Sequence, residues 1–465
     1  MKVHLSGIAG TAMASLAGLL REDGHAVTGS DQDIYPPMST QLEALGIPVR
    51  SPYAEANIPD DADLVVIGNA LSRGNPEVEA VLDRRLRLAS LPSLIADTFI
   101  RGRTSLVVAG THGKTTTTSL LAFVLHHAGL DPSFLVGGVP VDFERSYRLG
   151  RGAHFVIEGD EYDTAFFDKR PKFVHYLPDI AIIGNLEYDH ADIYPDLAAV
   201  QTAFVRLMNV IPRRGLLVAG IESPALRELL PKAFCRVESF GIGIEADWQA
   251  EDVRASADGT TFRLVQRTSG GRLGHGEFSM KMAGEHNVRN ALAALAAANA
   301  AGVSPHQARE ALAAFRGVKR RLELRGVVNG ISVYDDFAHH PTAVRVTLEA
   351  VRRASPEGRL VAVFEPRSYT SRTRVFQDDF AQAFQAADLV IVASAHLPEK
   401  VPIGERLSEQ DLVRGIAATG RTAELVPTVE AIVSRLTGTL KSGDRVVILS
   451  NGGFGGIHDR LLRVL

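Results

Sequence analysis

An α/β protein of three domains with largely parallel sheets is what the 465-residue chain predicts, and three observations carry that expectation. Apolar runs of strand length alternate with amphipathic, helix-like segments nearly throughout. The chain is too long for one ordinary core. The pattern also breaks twice, near 96–103, where a helical segment gives way to a strand, and near 316–321, after an alanine-rich stretch, which predicts units 1–99, 100–316 and 317–465.

The first unit opens with Val3-His4-Leu5-Ser6-Gly7-Ile8-Ala9-Gly10-Thr11-Ala12-Met13, a strand, a glycine turn and a helix, and its next strand ends at Gly29-Ser30-Asp31. That is a Rossmann-like start. The spacing Gly7-x-x-Gly10 lacks the Gly-x-Gly-x-x-Gly of dinucleotide dehydrogenases, so it indicates phosphate at a helix end and leaves the nucleotide open.

The second unit carries Ala109-Gly110-Thr111-His112-Gly113-Lys114-Thr115-Thr116-Thr117-Thr118 between a strand-like run, Ser105 to Ala109, and a helix-like one, Ser119 to Ala128. A glycine-rich turn that opens a helix aims backbone N–H groups and the helix dipole at an anion, while Lys114 and the Thr115 hydroxyl can serve a terminal phosphate and Mg²⁺. The general phosphate-loop pattern is incomplete, since Val108 stands five before Gly113; the shorter form Gly-Thr-x-Gly-Lys-Thr is met in full. ATP is therefore the expected nucleotide. Next comes Glu158-Gly159-Asp160-Glu161-Tyr162-Asp163, four carboxylates at the end of an apolar strand, whose mutual repulsion a divalent cation relieves. A further strand ends in Asn185-Leu186-Glu187-Tyr188-Asp189-His190. Between Glu238 and Lys281 short alternating segments with glycine turns predict antiparallel strands. Gly284-Glu285-His286-Asn287-Val288-Arg289-Asn290 then starts the alanine-rich helix, where Asn287 and Asn290 can act as caps or offer paired donor and acceptor groups to an adenine edge.

At the second break, Lys319-Arg320-Arg321-Leu322-Glu323 places cations where a hinge is expected, suited to a clamp on developing phosphoryl charge. In the third unit Tyr334-Asp335-Asp336-Phe337-Ala338-His339-His340-Pro341 ends a strand with acids and histidines together. Glu365-Pro366-Arg367-Ser368 follows another strand, with Arg372 and Arg374 soon after; arginines at strand ends fit a ligand bearing several carboxylates.

Composition narrows the partners. Fifty basic residues nearly balance fifty-four acidic ones and no Lys/Arg tract is present, which argues against nucleic acid. No apolar run approaches the ~18 residues of a membrane span and no signal-peptide core is visible, so a soluble, cytoplasmic protein is expected. Cys235, the only cysteine, excludes an intramolecular disulfide and a cysteine-based metal cluster and reads as packing.

Taken in order, Gly-Ile-x-Gly-x-x-Met, the ATP loop, Glu-x-Asp-Glu-x-Asp, Asn-x-Glu-x-Asp-His, His-Asn-x-x-Asn, Arg-Arg-x-Glu and Tyr-Asp-Asp-x-Ala-His-His-Pro resemble the Mur ligase family over essentially the whole chain. The resemblance implies a Rossmann-like amino-terminal domain, a central phosphate-loop ATPase domain and a Rossmann-like carboxyl-terminal domain. It also implies an ATP- and Mg²⁺-dependent ligase of peptidoglycan metabolism, which activates the lactyl carboxylate of UDP-N-acetylmuramate as an acyl phosphate and joins it to an amine. Tyr35-Pro36-Pro37-Met38-Ser39, Gly68-Asn69-Ala70, Ala165-Phe166-Phe167-Asp168-Lys169-Arg170, Glu365-Pro366-Arg367-Ser368 and Ser450-Asn451-Gly452-Gly453-Phe454 resemble the recycling branch, whose amine is the murein tripeptide L-alanyl-γ-D-glutamyl-meso-diaminopimelate. Tyr369-Thr370-Ser371-Arg372-Thr373-Arg374 looks more like the branch that adds L-alanine, which is the alternative. On this resemblance Lys114 and Arg321 hold phosphates, and Thr115, Glu158 and His190 hold Mg²⁺. Asn290 reads adenine, Asp336 and His339 orient ATP and the amine, Gly7, Gly10, Asp31 and Asn69 face the UDP moiety, and Arg367 takes a peptide carboxylate. Tyr194 to Val205 holds no lysine, so the carbamylated lysine of several family members is not expected.

Overall fold

The computed structural model describes all residues except 33 and 35–37, so the first three residues of Tyr35-Pro36-Pro37-Met38-Ser39 lie outside the described residues. Three sheets organise the chain, each built from the apolar runs that the sequence marks as strands. The amino-terminal sheet is wholly parallel, in spatial order Val49–Arg50, Ala26–Ser30, Lys2–Ser6, Leu64–Ile67, Leu88–Ser90. Order reverses beside Lys2–Ser6, and a doubly wound sheet opens its ligand crevice at such a switch point, at the carboxyl ends of the strands. Gly7, Gly10, Asp31 and Asn69 all follow those ends. Beneath them lies a buried polar knot. Glu77 accepts hydrogen bonds from Ser6 and Ser30, each at 2.5 Å, and from Asn57 at 2.8 Å, with His4 at 3.5 Å.

The central sheet has ten strands. Thr104–Ala109, which leads into the phosphate loop, lies in its interior between Ile180–Ile183 and His154–Glu158, all parallel. Parallel register brings the residues after each of these strands to one edge of the sheet, so Glu158, Asn185 and the loop become neighbours although far apart in sequence. The expectation of antiparallel strands between Glu238 and Lys281 holds for Trp248–Ser256, Gly259–Thr268 and Gly271–Met280 but not for Arg236–Ile242. That strand pairs parallel on both sides, because residues 243–247 carry the chain back so that Trp248 lies beside Phe240. The helix Lys114–His127 starts five residues earlier than its apolar run because Thr115 to Ser119 are themselves buried; it packs on the alanine-rich helix Glu285–Ala300, whose small side chains allow close approach.

The carboxyl-terminal sheet, in order Glu323–Val328, Ile331–Asp336, Arg445–Leu449, Leu360–Phe364, Leu389–Val392, Thr422–Leu425, is parallel except for its first strand. Helices cover both faces, giving two apolar cores of its own. The amino-terminal and central sheets instead share one continuous core, in which Phe99 stacks on Phe155 at 6.5 Å and Leu16, Leu94 and Ile95 join Ile157 and Phe173. No helix among the described residues is long and apolar enough to cross a membrane. Cys235 is half-buried at the rim of that shared core.

Candidate active site

A cavity of about 1170 Å³ lies between the central and carboxyl-terminal sheets. Its floor is the phosphate loop. Gly110 and Gly113 sit at φ +133° and +81°, in the left-handed half of backbone space that glycine enters freely. A methyl group on Gly113 would stand 2.3 Å from Asn290 Oδ1, so this turn can form only around a residue without a side chain. Thr111 and His112 are clamped from behind by Asn185, which accepts from the His112 amide at 2.8 Å and donates to its carbonyl at 3.2 Å. Thr116 lies inside the first turn of the helix and lines the cavity.

Lys114 donates to the Gly110 carbonyl at 2.8 Å and to Glu161 at 2.9 Å. Burial works against its charge, yet Glu161, Asp160 and Glu158 outweigh that and hold its pKa above the ordinary lysine value. The Thr115 hydroxyl donates to Glu158 at 3.0 Å and accepts from Arg321 at 3.1 Å, which is the bond that ties the arginine at the second break to the phosphate loop. Glu158 also accepts from the Gly137 amide at 2.8 Å; its carboxyl is nonetheless raised above the usual range by burial, the condition of an acid that gains from a cation.

His190 departs from expectation. Its Nε2 meets Glu161 at 2.9 Å rather than Glu158, held there by a backbone φ of +58° and by the Tyr162 ring at 4.3 Å. Thr115 and Glu158 therefore form one pair of oxygen donors, and His190 Nε2 with Glu161, which Lys114 also meets, a second pair. Burial opposes a charge on His190, but the Glu161 hydrogen bond and charge win and raise its pKa. Glu161 belongs to the acidic run in the sequence, yet nothing in that run singles it out as the partner of both Lys114 and His190.

Across the cavity, Asp336 accepts from the Leu322 amide at 2.7 Å and the Ala338 amide at 2.8 Å, and burial raises its carboxyl pKa. His339 is 3.0 Å from the Phe337 carbonyl through Nδ1, and burial lowers its pKa, so it stands neutral with Nε2 free. Asn290 donates to Asn287 at 3.1 Å, and both face the cavity. Gly7, Gly10, Asp31 and Asn69 lie elsewhere, in the amino-terminal crevice, where Asp31 accepts from the Ala9 amide at 2.8 Å and from the Tyr53 hydroxyl at 2.9 Å, and where the buried Oδ1 of Asn69 has no partner. Arg367 does not line the cavity; it stands beyond Ser368, 3.6 Å from Glu365 and against Gly452.

Fold and site together define a three-domain nucleotide-binding protein whose phosphate loop is completed by an arginine arriving from the hinge. Comparison with known proteins places the chain further. Residues 2–102 match the model of the Mur ligase family catalytic domain, 108–298 that of the Mur ligase middle domain, and 320–452 that of the Mur ligase glutamate ligase domain. The UDP-N-acetylmuramate–L-alanyl-γ-D-glutamyl-meso-2,6-diaminoheptandioate ligase of Escherichia coli (strain K12) is 43% identical over 464 residues, 99% of this chain and 98% of that one. A UDP-N-acetylmuramate–L-alanine ligase of Desulforapulum autotrophicum is 34% identical over 464 residues, with 100% and 98% covered. The crystal structure of a murein peptide ligase from Psychrobacter arcticus superposes with a TM-score of 0.74 at 41% identity, covering 100% of this chain and 98% of the other. The chain belongs to the Mur ligase family, and is an ATP-dependent enzyme that forms amide bonds.

Proposed function

We propose that the protein joins the lactyl carboxylate of UDP-N-acetylmuramate to the α-amine of L-alanyl-γ-D-glutamyl-meso-diaminopimelate at the expense of ATP, in the cytoplasm, where ATP and UDP-sugars are found. The observation that carries the reading is the Arg321–Thr115–Glu158 chain, which sets a cation, a hydroxyl and a carboxylate within hydrogen-bond reach at the mouth of the loop. A carboxylate resists nucleophiles until one of its oxygens becomes part of a good leaving group. Transfer of the γ-phosphoryl group to that oxygen, with ADP leaving, makes a mixed anhydride; the amine then attacks its carbonyl carbon and inorganic phosphate departs with the bridging oxygen.

Each residue then has a task. The amides of Gly110 to Thr116 and the helix dipole cradle the phosphates, and Lys114 and Arg321 carry the positive charge that meets the charge building on the transferred group. Thr115 and Glu158 offer the hydroxyl and carboxylate oxygens that suit Mg²⁺, with His190 and Glu161 beside them, and when bound the ion would neutralise phosphate charge. Asn287 and Asn290 lie where the nucleoside end would extend. His339, neutral with a free Nε2, can accept the proton that the attacking amine must lose, and Asp336 fixes the turn that presents it. Gly7, Gly10, Asp31 and Asn69 would hold the UDP group in the amino-terminal crevice, the unpartnered Asn69 oxygen being an acceptor waiting for a donor. Arg367 would meet a carboxylate of the peptide. The three units would divide at 99/100 and 316/317.

The likeness to the tripeptide-adding relative, 43% against 34% and 37% for two alanine-adding ones, supports the tripeptide as amine. ATP hydrolysis should rise only when UDP-N-acetylmuramate and the tripeptide are both present, and oxygen-18 placed in the lactyl carboxylate should appear in released phosphate. Turnover with L-alanine and none with the tripeptide would move the protein to the other branch.

A further inference from the structure

Beside the phosphate cradle, the described residues hold three metal-ligating side chains in one place: His112 of the phosphate loop, Glu187 of the loop after Ile180–Ile183, and His340, which caps the helix Pro341–Ala354 of the carboxyl-terminal domain. One ligand atom from each lies within 4.8 Å of the others. His112 Nε2 is 3.4 Å from Glu187 Oε2, and the two imidazole rings are 4.8 Å apart, centre to centre. None of these groups belongs to the oxygen pair at Thr115 and Glu158.

We propose that His112, Glu187 and His340 form a site for a borderline divalent cation of the zinc type, which would pin the phosphate loop to the carboxyl-terminal domain. Two imidazoles and one carboxylate, with water in the fourth position, are a donor set zinc takes readily, whereas magnesium prefers oxygen throughout, so the two cation sites would sort by chemistry. His340 is prepared for the role. Its Nε2 lies 3.3 Å from the Tyr188 carbonyl and its Nδ1 accepts from the Thr342 amide at 3.3 Å, a capping bond that ligation through Nδ1 would replace. A ring nitrogen held by a backbone carbonyl is how proteins orient a metal-ligating histidine. Ligand atoms around tetrahedral zinc lie roughly 3.3 Å apart, so binding asks for side-chain movements on the order of 1 Å.

The consequence is mechanical. Two ligands belong to the central domain and one to the carboxyl-terminal domain, so a bound ion would hold the cleft shut.

The test is a calorimetric titration of Zn²⁺ into tag-free, chelator-treated, full-length protein in excess Mg²⁺, with Co²⁺ absorption spectra in parallel. One saturable site is expected, with the intense visible bands of a four-coordinate cobalt ion. His340→Gln and, separately, Glu187→Gln should each weaken binding at least about tenfold and dim those bands. Absence of a saturable site, a pale six-coordinate spectrum, or affinity unchanged in either correctly folded variant would overturn the assignment.

Discussion

Lys114 shows how a residue can be legible in role and illegible in partnership. The loop that contains it announces a phosphate, but the carboxylate that holds it, Glu161, lies 47 residues on and is one of four within six residues. The spacing rule that identifies the loop is local, while the contact that sets the lysine is made by two parallel strands meeting side by side. Lys114→Ala should lower turnover at least about 100-fold, since it removes charge opposite the transferred phosphoryl group; unchanged turnover in a steady-state assay would remove the phosphate assignment. Gly113→Ala should abolish nucleotide binding in a fluorescence titration, because the new methyl would meet Asn290 at 2.3 Å at a backbone angle that alanine resists. Glu77 gives a residue-scale prediction away from the chemistry. Burial raises its pKa, but hydrogen bonds from His4, Ser30, Ser6 and Asn57 outweigh that and bring it to about 2, against 4.5 when unfolded. A carboxyl depressed in the fold contributes stability that is present above its unfolded pKa and is lost as pH falls from about 4.5 toward 2. Glu77→Gln should therefore cost about 2 kcal/mol at neutral pH and progressively less in acid; melting curves of the two proteins that stay parallel from pH ~6 down to ~3 would contradict it.

The element that does most to connect the molecule is the loop 184–190, and its sequence gave only its acids and its histidine as a hint. On one side it grips the phosphate loop, through Asn185 on His112 and through the Glu187 amide on the Thr111 hydroxyl at 2.9 Å. On the other it is gripped by the carboxyl-terminal domain. Thr342 donates to Glu187 at 2.7 Å and Thr370 to buried Asp189 at 2.8 Å, residues separated by 155 and 181 positions. Strand ends and glycine turns could be read because they are written in neighbouring residues; these bonds could not, since threonine and aspartate are unremarkable until the fold brings them together. Burial works against the Asp189 charge, but neighbouring His190, whose own pKa is raised, depresses it, so the Thr370 hydroxyl donates to a charged carboxylate. A bond of that kind contributes about 1.5–3 kcal/mol, and because the loop also holds the phosphate cradle, part of its loss should appear in ATP use. Thr370→Val should reduce kcat/KM for ATP about tenfold and Thr370→Ser should restore most of it. A lowered melting temperature with unaltered kinetics would make the bond structural only.

At the scale of the whole molecule, the two interfaces between sheets differ in kind. The amino-terminal and central units share an apolar core, with Phe99 on Phe155 and the ring of Tyr147 seated where Gly18 leaves no side chain. The central and carboxyl-terminal units meet instead around the cavity, with no shared apolar core among the described residues, through polar contacts such as Arg321 to Thr115, Thr342 to Glu187, Thr370 to Asp189 and Arg353 to Glu285, and a ring contact of Tyr188 with Phe376. Separating an apolar core exposes surface at roughly 25 cal/mol per Å², whereas polar contacts exchange for water at small net cost, so domain motion belongs to the second interface. Opening of the cleft would carry Arg321 away from Thr115, so closure around both substrates would assemble the phosphate site, which gives the arginine a reason to sit there. Spin labels placed in pairs across each interface should report it: the central to carboxyl-terminal distances should broaden in the free protein and sharpen with a non-hydrolysable ATP analogue plus UDP-N-acetylmuramate, while the amino-terminal to central distances stay fixed. High salt should widen the first distribution, because ion pairs such as Arg353 with Glu285 are screened, and leave the second alone. The reverse pattern, a mobile amino-terminal unit on a rigid central and carboxyl-terminal pair, would mean that interface chemistry does not decide which domain moves.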